Sequence, residues 1–141
     1  MNAQGRVMAF DYGLKRTGIA VSDEQRIFAF PVETVQTGQI MNWLSDYLKN
    51  ETVSLFVVGQ PICRDETPAA IEPHISGFVS RLKKQYPQIS IERHDERYTS
   101  KMAMDSILMG GVPKMKRRDK SLVDKISAAI ILQSFFELKK Q

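Results

Sequence analysis

Cysteine and histidine are nearly missing from this chain. A single cysteine, Cys63, cannot close an internal disulfide, and the two histidines, His74 and His94, lie far apart. No Cys/His zinc centre can be assembled from that set, so any metal site must be built from oxygen ligands. Long apolar runs are missing too. The longest, Leu55–Val58 and Ala128–Leu132, fall far short of a bilayer span. Met1–Asp11 holds no apolar core of signal-peptide length. Cytoplasm is therefore the expected compartment, and no membrane partner is expected. Repeats and low-complexity tracts are not visible. The 141 residues, 43% hydrophobic and 26% charged, predict one globular domain over residues 1–141. They exclude disordered, fibrous and large multidomain architectures.

Charge is present, and it is unevenly placed. Twenty basic against sixteen acidic residues leave +4. The segment Lys114–Lys120 (KMKRRDK) holds five basic residues and one acidic, so it alone carries +4 and the rest balances at fifteen against fifteen. A local surplus suits a contact arm for a polyanion better than a generally basic surface. Gly110-Gly111 and Pro113 predict a mobile loop over 110–120. Lys114, Lys116, Arg117, Arg118 and Lys120 are its nucleic-acid candidates, against the plainer reading of a solubilising loop. Such contacts raise affinity without reading sequence, and they weaken with salt.

The patterning predicts strands over Arg6–Asp11, Thr17–Ser22 and Ile27–Val35, a three-strand antiparallel meander. Pro31 marks the third as an edge strand or one with a bulge. Helical spacing of Ile40, Trp43, Leu44, Tyr47 and Leu48 then predicts a helix over Gln39–Lys49, with Trp43 in the core. Ser54–Val58 reads as a strand covered on both faces, stopped by Gly59-Gln60-Pro61. A helix from Pro73 to about Tyr86, a strand over Ile89–His94, a short helix over Thr99–Met109 and a final helix over Ser121–Lys139 complete the order. An antiparallel meander followed by α/β units implies an α/β protein with a mixed five-stranded sheet flanked by helices.

Three carboxylates occupy places that matter. Asp11 ends the first strand and enters the turn at Gly13; ligands of α/β sheets gather beyond strand carboxyl ends, although Asp before Gly also simply forms turns. His94-Asp95-Glu96-Arg97 ends the last strand and reads either as a metal-ligating group with a phosphate-binding arginine or as a solvated turn. Asp124 fits a capping box with Ser121 as N-cap. Yet Ala128, Ile131 and Phe135 follow it at helical spacing, so its face turns toward the protein body, where a carboxylate needs a cation or donors. Hard oxygen ligands of this kind suit Mg²⁺ or Mn²⁺. A carboxylate cluster beside a basic loop is what two-ion hydrolysis of phosphodiesters requires.

Four ordered motifs span essentially the whole chain. They are Ala9-Phe10-Asp11-Tyr12-Gly13-x-Lys15-Arg16-Thr17-Gly18-Ile19-Ala20, Val57-Val58-Gly59-x-Pro61, His94-Asp95-Glu96-Arg97-x-Thr99-Ser100, and Val123-Asp124-x-x-Ser127-Ala128-Ala129 with Ile131-Leu132-Gln133. Together they resemble the YqgF/RuvX family of pre-16S rRNA nucleases, formerly described as Holliday junction resolvases. The resemblance implies a ribonuclease H-like fold. It implies a catalytic and metal-binding triad of Asp11, Glu96 and Asp124, with Asp11 bridging two Mg²⁺ or Mn²⁺ ions and Asp95 as an auxiliary. It also implies trimming of the 5′ end of the 16S rRNA precursor. Structured RNA and the pre-30S particle are then the expected partners, with branched DNA as the alternative. Gln60 and Tyr98 stand where the family usually has leucine.

Around the site, Lys15, Arg16 and Arg97 are phosphate-contact candidates. Lys15 and Arg16 read equally as a solvated turn, and Arg97 equally as the holder of a carboxylate. Arg64 lies in the loop after the fourth strand and is a weaker groove candidate. His94 reads as a structural histidine at a strand end. Two other classes compete. A phosphate-binding ATPase would share Asp11-x-Gly13 but needs a second domain and a second Asp-x-Gly loop, which this sequence lacks. A non-catalytic RNA-binding assembly factor would keep the fold, but the presence of all three carboxylates argues against it.

Overall fold

The computed structural model describes residues 5–98 and 120–139. Five strands, β1 (Arg6–Asp11), β2 (Arg16–Ser22), β3 (Ala29–Gln36), β4 (Val53–Gln60) and β5 (Ser90–Asp95), form one sheet in the order β3-β2-β1-β4-β5. The first three pair antiparallel, while β4 and β5 join β1 in parallel. Parallel neighbours need a crossover. Helix α1 (Ile40–Tyr47) supplies it between β3 and β4, and α2 (Glu72–Gln85) between β4 and β5. Helix α3 (Lys120–Lys139) follows.

Each face of the sheet has its own core. Side chains alternate along a strand, so β1 sends Met8 and Phe10 one way and Val7 and Ala9 the other. Met8, Phe10, Ile19, Phe56 and Val58 pack with Ile40 and Leu44 of α1 and Ile75, Phe78 and Leu82 of α2. Val7, Ala9, Ala20, Leu55 and Val57 pack with Ala128, Ala129, Leu132 and Phe135 of α3. Helix α3 lies across β1, β2 and β3. The strand predicted at Ser54–Val58 is indeed covered on both faces, which explains its unbroken apolar run.

Four expectations need correction. Strand β4 runs on through Gly59 and Gln60, because both still pair with β5, opposite His94 and Asp95. Helix α3 already includes Lys120, so Ser121 lies inside it and does not cap it. Trp43 sits at the rim, not in the core: its ring stacks on Tyr47 at 5.2 Å and its indole N–H donates to Glu33 Oε1 at 3.2 Å. A 3₁₀ turn, Thr37–Gln39, precedes α1, where the helix was expected to begin at Gln39. The reading of Pro31 holds on both counts. Strand β3 is an edge, and its register with β2 slips where Ile19 faces Glu33 and Ala20 faces Pro31. The helix expected at 99–109 and most of the loop at 110–120 lie outside the described residues.

Candidate active site

Asp11 is the last residue of β1, on the face that carries α3. Its pairing partner on β2 is Gly18. That glycine is a steric requirement: a Cβ there would lie 1.9 Å from the backbone oxygen of Asp124. Only a missing side chain lets the first turns of α3 settle onto β2, which brings Asp124 to the end of β1. Gly59 does the same for the other carboxylate. Glu96 stands in the 3₁₀ turn Glu96–Tyr98 directly after β5, and a Cβ on Gly59 would lie 2.7 Å from Glu96 Oε2 and 2.9 Å from Ile131 Cδ1. Two glycines on the strands flanking β1 are thus the seats of the two carboxylates that approach Asp11.

Asp11 senses both of the other acids. Burial, then the charge of Glu96, then that of Asp124, push the Asp11 carboxyl up to about 7. Burial also raises Glu96, opposed by the positive charge of Arg93 and assisted by Asp95. Asp124 is held differently, since Arg16 Nε donates to its Oδ2 at 3.0 Å. Among the described residues, no group of three Asp, Glu, His or Cys side chains stands assembled to hold a metal ion. The donor chemistry nonetheless fits a hard divalent cation: Glu96 and Asp124 are near enough to Asp11 for their charges to raise it, and a cation there would offset the burial and repulsion that do so.

The other candidates fall into three groups. Arg16 is engaged with Asp124. Arg97 is engaged with Asp95, through Nη2 to Oδ2 at 2.7 Å and Nε to Oδ1 at 3.1 Å, and those bonds hold Asp95 below the usual carboxylate range. Lys15 is exposed in the turn between β1 and β2, with its backbone carbonyl accepting from Thr37 N–H at 2.9 Å. Arg64 is exposed in the loop after β4. Lys114, Lys116, Arg117 and Arg118 lie outside the described residues, as does the Lys120 side chain. His94 is buried edge-on against Phe135 at a centroid distance of 6.3 Å, and burial lowers its pKa against the opposing charge of Asp95.

Two features escaped the sequence reading. One is the pair of glycine seats. The other is Arg93, which forms an ion pair with Glu72. Its signal was present: Ile89, Ile91 and Arg93 share one strand parity, and a charge continuing an inward-facing row demands a partner.

Comparison with known proteins places this architecture. Thermus thermophilus RuvC, solved in complex with a Holliday junction substrate, superposes with a TM-score of 0.59 at 14% identity, covering 96% of each chain. A second structure of RuvC from Thermus thermophilus gives 0.55 at 15% identity, covering 95% of this chain and 96% of that one. The fold is therefore ribonuclease H-like, the fold of RuvC. The chain belongs to the RuvX family, described as Holliday junction resolvase, which matches residues 5–138. Relatives named "Putative pre-16S rRNA nuclease" include one from Christiangramia forsetii, 51% identical over 92% of this chain and 96% of its own length. Another, from Parabacteroides distasonis, is 46% identical over 96% and 97%.

Proposed function

We propose that this protein is a divalent-metal-dependent nuclease that processes the 5′ end of pre-16S rRNA. The observation that carries the reading is the seating of Asp124 on Gly18 and of Glu96 on Gly59, on the strands flanking Asp11, whose carboxyl burial and those charges push up to about 7. The names of its close relatives supply the substrate. Asp11, Glu96 and Asp124 would hold Mg²⁺ or Mn²⁺, two ions in all. Held there, such ions would supply the charge that activates the attacking water and offsets the leaving oxygen. Asp11 would supply one carboxylate, and Glu96 and Asp124 would complete the donor set. Lys15, with the basic residues of 110–120, would meet the phosphate backbone, and Arg16 would keep Asp124 paired until a cation takes its place. Water adds across a P–O bond, leaving a 3′-hydroxyl and a 5′-phosphate. Residues 1–141 act as one domain in the cytoplasm, with the pre-30S particle as the setting.

A second reading, cleavage of branched DNA, is favoured by the family's description and by RuvC solved on a Holliday junction. One experiment separates them. A pre-16S 5′-leader RNA and a four-way DNA junction are incubated side by side with Mg²⁺ or Mn²⁺, using wild type and Asp11→Asn. RNA cleavage that needs metal and falls by about 10²–10³-fold in Asp11→Asn, the usual cost of one lost electrostatic stabiliser, is expected. Paired symmetric nicks in the junction alone would replace this reading with the resolvase. Binding without Asp11-dependent cleavage would leave an assembly factor.

A further inference from the structure

Arg93 makes four hydrogen bonds around a single guanidinium. Nε donates to the Val58 carbonyl at 3.2 Å and Nη2 to the Gly59 carbonyl at 2.9 Å. Nη1 and Nη2 grip the Glu72 carboxylate at 2.8 and 2.9 Å. Glu72 also accepts from Ser76 Oγ at 2.9 Å, so both oxygens are held. The pair is largely enclosed, with side-chain exposures of 22% for Arg93 and 16% for Glu72. This bidentate fork ties β5, β4 and the first turn of α2 together at Gly59. Gly59 is the residue on whose opposite face Glu96 rests, beside Ile131 of α3.

We infer that Arg93, clamped by Glu72, is a positioning residue: it fixes the Val58–Gly59 backbone that sets where the Glu96 carboxylate stands. A lysine in its place keeps the charge but cannot reach two carbonyls and a bidentate carboxylate at once. The core on that side of the sheet would hold the fold together without it, since Phe10, Phe56, Phe78 and Leu82 are fully buried there. The inference rests on the proposed metal-dependent reading, because Glu96 is a ligand only there.

The test uses the full chain and Mn²⁺ alone as probe, with free Mn²⁺ counted by electron paramagnetic resonance. Four proteins are compared: wild type, Glu96→Gln, Arg93→Lys and Glu72→Gln. Arg93→Lys is expected to weaken Mn²⁺ binding about tenfold, at the low end of what residues behind metal ligands cost. Its kcat on the leader RNA should fall by a similar factor with KM unchanged. Glu72→Gln, which keeps volume and one acceptor oxygen, should show a smaller loss of the same kind. It carries the test if Arg93→Lys does not fold. A folded variant that melts earlier but binds Mn²⁺ and turns over as wild type does would make the clamp purely structural and overturn the inference. Failure of wild type to bind Mn²⁺, or of Glu96→Gln to weaken it, would overturn the metal-site reading itself.

Discussion

The two faces of the sheet are built from different materials. Toward α1 and α2 the core is large and aromatic: Phe10 meets Phe78 edge-on at 5.2 Å and Phe56 at 5.6 Å. Toward α3 the sheet offers Ala9, Ala20 and Gly18, and the helix answers with Ala128 and Ala129. Large side chains bury the most area and contribute most of the stability. Small ones let backbones approach, and on this molecule the close approach brings carboxylates together. The α3 side adds Phe135 and Phe136 farther along the helix, so stability is shared between the faces while the carboxylates gather on one.

Substitutions on each face should separate those roles. The largest effect is expected from Phe78→Ala, which empties a fully buried site and should cost about 3–5 kcal/mol in a denaturant titration. The fraction that remains folded should cleave at the wild-type rate; a matching loss of kcat would erase the division between faces. Gly18→Ala comes next. The new methyl collides with the Asp124 backbone, α3 must shift, and a displacement of about 1 Å is worth about a hundredfold in rate. Melting should change less than for Phe78→Ala, so measuring both quantities on both variants sharpens the contrast.

The third effect concerns pH. Asp11 holds its proton to about pH 7 in the folded protein, against 3.8 for the free side chain. Between those values the folded state binds more protons than the unfolded one, so stability falls as pH rises through the window and levels above it. Asp11→Asn lacks this penalty. In EDTA it should match wild type near pH 4 and gain on it progressively as pH rises to 8. Added Mn²⁺ should narrow the gap by stabilising wild type alone, read by thermal melting at each pH.

Much of this was readable in the residues. Strict alternation puts Asp11 on one face with Val7 and Ala9, which the structure shows to be the face carrying α3, and the apolar line Ala128, Ile131, Phe135 turns Asp124 toward the body. Those inferences use periods of two and 3.6, which need no tertiary information. Pro31 marked the edge and the slipped register for a similar reason, having no N–H to give. What stayed hidden is pairing across the chain. Arg16 meets Asp124 at a sequence separation of 108, and Arg93 meets Glu72 at 21. No local pattern encodes such distances. The capping motif at Ser121 misled because a helix that begins earlier leaves the same letters in its interior. Gly59 looked like a strand terminator, and only the pairing with His94 shows it to be a strand residue kept bare for Glu96.

The order of the parts along the chain has a consequence for how the protein comes into being. Asp11 belongs to the first strand and Glu96 follows the fifth, while Asp124 arrives on α3, after all of them. Synthesis is vectorial, and amino-terminal segments emerge first. The aromatic face, made wholly from residues up to Ile91, can close while α3 is still unmade. Until that helix docks, Val7, Ala9, Leu55 and Val57 lie uncovered and the third carboxylate is absent. On the proposed reading, the aromatic core can close before the three carboxylates are together, and docking of α3 both covers the other face of the sheet and completes the site.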